Sequence, residues 1–377
     1  MKCASTAIMG KPVAVGGAAI LALTVAAGFT PAAQAAGTLE IDDTRWVSVG
    51  AGLRTSFRAV EDAAASGDDY SKDFEVENIR LYVNGQAHRY VKLTFNTERE
   101  PNSNVRILDV IGRLEFSDTM NFWVGRFLPP SDRSNLDGPF YLSTWDFPFV
   151  QAYPAIFAGR DDGAAFWGQI QGGQFKYQVG AFQGRDDEPN DEDNLLYAGR
   201  LTLNLWDPEP GYFNSSTYYG DKDIFAIGLV GMFQEDGAGT AANAGDFTGW
   251  SVDVLIEKNL GGTGVATLEG AYYNYDLDDV SDPSLVQGES FFVLGAWLFP
   301  QKIGFGRFQP HVRYQHFDRD ETNAVGSRGD RERIDFGVNY IISGHDARIS
   351  VVYSKEDDDA TGGDSIDSVL VGVQIQI

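Results

Sequence analysis

The sequence predicts an all-β protein, a 16-stranded antiparallel transmembrane β-barrel with short turns at one end and long loops at the other. Three observations predict it: an export signal, apolar and polar residues that alternate along the chain, and connections that alternate in length. The chain has 377 residues, with 29 lysines and arginines, 54 aspartates and glutamates, and a formal net charge of −25. Because phosphate binding requires clustered basic residues, no nucleic-acid partner is expected.

Residues 1–35 have the pattern of a secretory signal peptide. Lys2 and Lys11 precede an apolar run over 13–29, and Ala33-Gln34-Ala35 matches a small-x-small cleavage site. We expect residues 1–35 to be removed and residues 36–377 to form a single domain. A transmembrane anchor is the alternative, but a run of ~17 residues is near the lower limit for spanning a bilayer. Cys3 lies in the signal, so the predicted mature chain has neither a disulfide nor a cysteine-based zinc site.

Period-two alternation along the predicted mature chain indicates β-strands. Apolar residues alternate with polar residues or glycine in 46–57, 79–85, 91–96, 108–116, 200–205, 311–315, 348–354 and 368–377. Further candidate strands alternate less cleanly, and they cover 120–128, 163–172, 173–183, 223–234, 246–258, 263–275, 289–299 and 331–343. Together with the clean segments they predict about 16 strands.

The lengths of the connections favour a membrane barrel over a β-sandwich, which could also alternate. Every second connection is short, as at 85–87, 117–119, 171–174, 259–262, 300–303 and 344–345. Those between them are long, as at 59–73, 129–162, 184–194, 235–245 and 276–288. Short periplasmic turns and long external loops are typical of outer-membrane barrels. The connection 207–222 breaks the rule, because it is long where a short turn is expected.

A barrel satisfies every backbone hydrogen bond in lipid, because a closed sheet has no edge. The apolar stripes then face the lipid of a bacterial outer membrane, with lipopolysaccharide as a further partner, and the polar stripes surround a water-filled lumen. Aromatic residues near strand ends are expected to form interfacial girdles. These residues are Phe116, Trp123, Trp206, Tyr218, Tyr219, Trp297, Phe299 and Phe317.

Basic residues fall on the polar stripes, where they are expected to face the lumen. They are Arg54, Arg80, Lys92, Arg113, Arg200, Arg313, Arg333 and Arg348. One interpretation is a basic track that draws anions through the pore. The other is that neighbouring acids such as Asp109 and Asp335 neutralise these side chains. The external acidic loops either solvate the surface or bridge divalent cations to lipopolysaccharide.

The connection 129–162 is the third outside loop and is rich in proline and aromatic residues. A loop of this composition is expected to bury its aromatics by folding into the lumen and narrowing it. We expect Arg126, Asp132, Arg133, Asp137, Arg160 and Asp161 to line that constriction. The alternative is that the loop packs over the barrel rim or against a neighbouring subunit.

The sequence offers no catalytic residues, no metal ligands and no cofactor site. It contains neither a zinc-protease, a serine-hydrolase nor a phosphate-loop motif, and its four histidines are scattered. The acidic runs 276–279 and 357–359 lack the spacing of a calcium loop. The glycine-rich 261–264 is interpreted as a turn.

Four motifs, taken in order, resemble the phosphate-selective porin O/P family. They are Gly125-Arg126-Phe127-x-Pro129-Pro130, Gly159-Arg160-Asp161-Asp162-Gly163, the stretch 218–224, and Asn339-Tyr340 followed by 344–348. The resemblance implies a 16-stranded homotrimeric porin with its third loop folded inward. We therefore expect passive diffusion of small hydrophilic solutes and ions, with an anion preference as a finer possibility. The alternatives are a specific channel for phosphate or organic anions and, from another class, a barrel enzyme or adhesin.

Overall fold

The computed structural model describes residues 37–99, 104–151, 159–362 and 365–377. The predicted signal peptide, 1–35, lies outside the described residues. The strands are β1 Gly37–Glu40, β2 Trp46–Val60, β3 Ser71–His88, β4 Val91–Arg99, β5 Val105–Ser117, β6 Met120–Phe127, β7 Asp161–Ile170, β8 Phe175–Phe182, β9 Leu196–Asn204, β10 Ile224–Thr240, β11 Asn243–Asn259, β12 Val265–Asp276, β13 Gly288–Leu298, β14 Arg307–Arg319, β15 Gly329–Ser343, β16 Ala347–Asp358 and β17 Ile366–Gln376.

Helix is sparse in the described ranges. One α-helix, α1, covers Arg133–Asp137, and single 3₁₀ turns cover Gln171–Gly173, Gly261–Thr263, Val325–Ser327 and Asp359–Thr361. None of these helices is long and apolar enough to cross a membrane.

The sheet closes on itself, which confirms the predicted 16-stranded antiparallel barrel. Each strand from β2 to β17 pairs with the next one along the chain, and β17 pairs with β2 from Ser368↔Val60 to Gln376↔Gly52. The short strand β1 pairs with residues 46–49 of β2, which lie just beyond the residues of β2 that pair with β17. Every barrel strand therefore has two partners, as hydrocarbon surroundings require.

An apolar belt covers the outside of the barrel. Exposed large apolar side chains point outward from neighbouring strands, and they include Leu53, Leu81, Leu93, Leu114, Val124, Val179, Leu201, Leu229, Leu268, Val293, Val312, Phe336, Val351 and Val371. Such a surface is stable against lipid chains rather than water. Three of the predicted girdle aromatics, Phe116, Trp206 and Phe299, are exposed near strand ends, but Trp123, Tyr219 and Phe317 are buried. The girdle prediction is wrong for those three.

The two ends of the barrel differ as the sequence predicts, with one exception on each side. The predicted long loop 235–245 is replaced by a two-residue turn at 241–242, because β10 and β11 extend to 17 residues each. On the opposite end, the connection 205–223 stays long while its neighbours at 171–174 and 260–264 are short. We call the two ends the long-loop end and the short-turn end.

Much of the lumen is filled by protein. Apolar residues occupy part of the inner face of β10 to β13, among them Val230, Phe247, Tyr273 and Phe292, and they form one cluster with Leu128, Leu136 and Tyr212 from two connections. Because these strands are covered on both faces, their sequences cannot alternate cleanly. This explains why 223–234, 246–258 and 289–299 alternate poorly.

Candidate functional site in the barrel lumen

The β6–β7 connection, which the structure describes over 128–151 and 159–160, enters the lumen from the long-loop end. Its carbonyl groups accept hydrogen bonds from inward side chains of β2 and of β13 to β17. The donor–acceptor pairs are Arg54–Trp145, Ser290–Val150, Arg313–Asp146, Asn339–Ser143, Arg348–Leu142 and Gln374–Phe140. These bonds fix the backbone of the connection against that half of the wall, since buried carbonyls need partners.

Two inward glycines make room for aromatic rings of this connection. A Cβ atom on Gly372 of β17 would lie 2.6 Å from ring atoms of Trp145, and one on Gly52 of β2 would lie 2.8 Å from Phe140. The guanidinium of Arg54 stacks over the Trp145 ring, 4.0 Å from its centroid. Glycine is therefore required at both positions for the connection to approach the wall this closely.

Helix α1 is the part of the connection that crosses toward β11 and β12. Asp132 caps the helix by accepting from the Ser134 amide, and the same carboxylate accepts from the Tyr273 hydroxyl of β12 at 2.8 Å. The Arg133 amide donates to Asp253 of β11 at 3.2 Å. The wall thus fixes the orientation of α1 through side chains of two neighbouring strands.

The β9–β10 connection, residues 205–223, enters the lumen from the short-turn end and contacts the β6–β7 connection. The Tyr212 ring stacks on Trp123 of β6 with ring centroids 4.6 Å apart, and its hydroxyl donates to the Leu128 carbonyl. The Ser143 hydroxyl donates to the Ser216 carbonyl at 3.0 Å. The two connections thus meet inside the barrel although they arise at opposite ends.

A buried ion pair joins the two connections. The Arg133 guanidinium donates to both carboxylate oxygens of Glu209 at 2.7 Å, and each side chain is 1% exposed. Burial alone would raise the pKa of Glu209, but the charge and hydrogen bonds of Arg133 hold it at about 2. Glu209 is therefore ionised at neutral pH, and the pair is a charge-assisted, bidentate contact.

Two acidic side chains meet at one serine hydroxyl beside this pair. The Ser216 hydroxyl contacts Asp137 at 2.5 Å and Glu269 of β12 at 2.9 Å. A hydroxyl has one hydrogen to donate, so it donates to only one of the two carboxyl groups at a time. Burial raises the pKa of Asp137 well above its ordinary value. Burial therefore favours the protonated form of Asp137 beside Ser216.

The structure brings three of the six predicted constriction residues together and places the other three elsewhere. Asp132, Arg133 and Asp137 lie together on α1 and its cap, and Arg160 joins the wall by donating to Asp109 of β5 at 3.1 Å. Arg126 lies on the same strand face as the exposed Phe122 and Val124, where it pairs with Asp162 at 2.7 Å. Asp161 accepts from the Gly184 amide of the β8–β9 connection. The geometry does not bring Arg126 and Asp161 to α1.

The eight predicted basic residues alternate with exposed residues along their strands, so they face the lumen. Most of them contact carboxylates. The pairs are Arg80–Glu98, Lys92–Glu115, Arg113–Glu115, Arg200–Asp253, Arg313–Asp335 and Arg333–Asp335, while Arg54 lies 4.0 Å from Glu77. Arg348 donates instead to the carbonyls of Leu142 and Thr144. The inner wall is thus largely neutralised by its own acids.

The inner faces of β3 to β6, which we call the open wall, carry two partly exposed cations. The Lys92 and Arg113 side chains there are 25% and 19% exposed, against 2% for Arg313. Toward the long-loop end, Arg58 and Asp146 are similarly exposed. Solvent therefore reaches charged side chains at two places in the lumen, at Lys92 and Arg113 on the open wall and at Arg58 and Asp146 toward the long-loop end.

Several residues that hold this arrangement are absent from the sequence prediction. Glu209, Tyr212 and Ser216 belong to the β9–β10 connection, and Asp253 and Glu269 belong to the wall opposite it. The one available signal was the unexpected length of 207–222. Among the described residues, no group of three or more histidines, aspartates or glutamates is placed to hold a metal ion.

Comparisons with known proteins support this architecture. No protein-family model matches the chain. An uncharacterised protein of Aquifex aeolicus is 25% identical over 251 residues, so the match spans 61% of this chain and only 58% of that relative's length.

Solved structures of outer-membrane channels resemble the barrel more completely. An anion-selective porin from Comamonas acidovorans has 15% identity and a TM-score of 0.58 over 88% of this chain and 100% of its own. OmpF of Salmonella typhi has 10% identity and a TM-score of 0.59 over 89% and 98%. The channel DcaP of Acinetobacter baumannii has 12% identity and a TM-score of 0.57 over 90% and 99%. The shared feature is the fold, a closed barrel of the outer-membrane porin type. Such a barrel with an apolar exterior lies in the bacterial outer membrane.

Proposed function

We propose that the protein is a porin, a non-enzymatic channel through which small hydrophilic solutes and ions diffuse passively across the outer membrane. The observation that carries this proposal is the open wall, where ionisable side chains remain partly exposed inside a closed barrel. Charged side chains in this position keep a path hydrated, and an apolar exterior keeps the barrel in lipid. The β6–β7 connection acts as the constriction, with Asp137 and Arg160 at its border with the open wall.

We propose weak ion selectivity for this channel, since the inward arginines are paired with carboxylates. The alternative is a specific channel for phosphate or other anions, which the motif resemblance favours. A basic track attracts anions only through charge that neighbouring acids leave uncompensated. A small reversal potential in a salt gradient supports the first version, and a strong anion preference supports the second.

The proposal includes the assembly and export of the chain. We infer a homotrimer, which agrees with the trimeric form recorded for OmpT of Vibrio cholerae, a solved structure with 15% identity and a TM-score of 0.54. Residues 1–35 direct export and are removed, and lipopolysaccharide surrounds the long-loop end. Molar mass in detergent by light scattering tests the trimer.

Planar-bilayer recordings of the purified mature protein test the function itself. We expect stepwise ion conductance in KCl, and detergent without protein serves as the control. A protein that inserts into the bilayer but never conducts would contradict a porin and favour a barrel enzyme or adhesin.

A further inference from the structure

A charged pair lies on the outer face of the barrel, among side chains that face lipid. The Arg126 guanidinium of β6 donates to both carboxylate oxygens of Asp162 on β7, each at 2.7 Å. Both side chains project on the same side as Val124, which is 58% exposed. Arg126 and Asp162 themselves remain 26% and 41% exposed. A bidentate ion pair therefore stands on the exterior of the barrel.

The apolar stripe between this pair and the short-turn end is short. On β6 the outward residues Met120, Phe122 and Val124 cover only 120–124 before Arg126 follows. The uncharged outward stripes of β10 and β17 start at the same end and cover 225–233 and 369–377. A transmembrane strand needs roughly 9–11 residues to cross the hydrocarbon. Arg126 therefore lies at a depth where β10 and β17 are still apolar.

Hydrocarbon is an unsuitable neighbour for this pair. Charged side chains inside a membrane are costly unless they face protein or water. Arg126 and Asp162 point away from the lumen, so water in the lumen does not hydrate them. The outer face at this point therefore requires a polar neighbour.

The surface around the pair is flat, because most of its outward side chains are small. One row of strand partners crosses β5 to β8, and it consists of Gly112, Val124, Ala164 and Ala181. The row that crosses β13 to β15 is bulky in comparison, with Val293, Tyr314 and Ile334. Small residues allow two surfaces to approach closely inside a membrane, where close packing drives association.

We propose that the outer faces of β5 to β8 around Arg126 and Asp162, which we call the paired face, form the contact between copies of the chain. The inference rests on the homotrimer of the proposed function, and it deepens that proposal by locating the subunit interface. Each copy presents a cation and an anion side by side. Around a rotation axis, the guanidinium of one copy can therefore meet the carboxylate of the next. A lipid phosphate would match Arg126 but be repelled by Asp162, so a second copy is the better partner.

Cysteine cross-linking in lipid vesicles tests the location of the contact. The only cysteine of the sequence is Cys3, in the predicted signal peptide, so a single introduced cysteine reports on one place. Val124→Cys lies on the paired face. Val293→Cys is the matched control, because Val293 is an outward valine of 48% exposure that lies seven strands further along the barrel. We expect a short bismaleimide to give a covalent dimer with Val124→Cys and none with Val293→Cys. Equal or reversed cross-linking would overturn the proposal.

Charge reversal tests the ion pair itself. Arg126→Glu places like charges side by side within each copy and between copies, and we expect the trimer fraction to fall roughly tenfold or more at fixed detergent concentration. The double variant Arg126→Glu/Asp162→Arg restores opposite charges and should restore the trimer. Light scattering measures both. A trimer that is unchanged in Arg126→Glu would overturn the role of the pair, and the cysteine variants still test the face if Arg126→Glu does not fold.

The same samples separate this inference from the channel function. A wild-type protein that conducts as a monomer would contradict the interface and keep the channel. A trimer that cross-links through Val293→Cys would keep the trimer and contradict the paired face. A trimer that cross-links through Val124→Cys without ion conductance would contradict the porin alone and support the interface. A nitroxide on Val124→Cys that meets lipid-dissolved oxygen as often as one on Val293→Cys would show that lipid covers the paired face, and this result would overturn the proposal.

Discussion

Arg133 and Glu209 join two connections that enter the barrel from opposite ends, with two nitrogen–oxygen contacts of 2.7 Å between buried side chains. Arg133 belongs to α1 of the β6–β7 connection, which arises at the long-loop end, and Glu209 belongs to the β9–β10 connection, which arises at the short-turn end. The pair thus couples the two segments that fill the lumen.

Removing one member of this pair should release both connections. Glu209→Gln leaves the buried Arg133 guanidinium without its bidentate counter-charge and with Asp253 as the nearest carboxylate at 3.9 Å, and we expect a loss of about 3 kcal/mol in unfolding free energy together with a larger channel current. Chemical denaturation and single-channel recording measure the two effects.

The double variant Arg133→Met/Glu209→Leu is the matched control for that experiment. It removes both charges and retains volume, so it should lie closer to the wild type than Glu209→Gln does. If Glu209→Gln unfolds and conducts like the wild type, the ion pair does not couple the connections.

Glycine at position 372 should be needed for the β6–β7 connection to reach the wall. Gly372→Val places side-chain atoms where the Trp145 ring lies, and we expect a loss of about 1–3 kcal/mol and a displaced connection. Gly231→Val on the outer face of β10 is the control, because no atom lies within 4 Å of its Cβ position. Intrinsic tryptophan fluorescence and thermal unfolding report the change. Equal behaviour of the two variants would show that Trp145 does not require this space.

Acid should loosen the short-turn end through His345. This residue lies in the β15–β16 turn with its ring 4.7 Å from Tyr141 and 4.8 Å from Tyr219, so it contacts both inward connections. Burial, and then the charge of Arg348, lower its pKa from 6.5 to about 4. The folded state favours the neutral ring, so the stability that His345 contributes is complete above pH 6.5 and is lost as the pH falls through 4.

Thermal unfolding between pH 7 and pH 3.5 measures this contribution. His345→Gln cannot titrate, and we expect its melting temperature to fall less steeply over that range. Glu209 contributes in a lower window, since its stabilisation is present above pH 4.5 and is lost toward its pKa of about 2. Parallel pH profiles for His345→Gln and the wild type would contradict the role of His345.

The sequence predicts the barrel well because closure in lipid leaves a strong pattern. Strands such as β2 and β17 face lipid on one side and polar groups on the other, and their alternation is clean. The alternation is less clean along β10 to β13, because protein covers both faces of these strands. The local sequence pattern does not show that both faces are covered, because Phe247 and Tyr273 are buried by connections that are distant in the sequence.

The site itself is only partly predictable. The aromatic content of 129–162 indicates burial, and Asp132, Arg133 and Asp137 do lie together. Their partners Glu209 and Ser216 belong to the β9–β10 connection. The unexpected length of this connection marks it as unusual, but it does not show that the connection enters the lumen. The outward position of Arg126 follows from strand parity, which continues from Phe122 through Val124.

A charge on the outer belt should destabilise the protein according to its depth. Val371 lies on the outer face in the middle of β17, and Val371→Arg is expected to cost about 2–4 kcal/mol in a lipid bilayer. Tyr70→Arg, at the exposed end of the β2–β3 connection, is the control and should cost roughly 0–1 kcal/mol. Refolding titrations in lipid vesicles give both values, and equal costs would contradict a lipid-facing belt.

Single-channel conductance of two deletion variants tests the central claim most directly, which is that two inward connections limit passage through the barrel. One variant lacks residues 133–158, and the other has 207–222 replaced by an Asn-Gly turn. We predict that each deletion raises the conductance roughly twofold or more, because each widens the hydrated cross-section. Conductance equal to that of the wild type in both variants would contradict the claim.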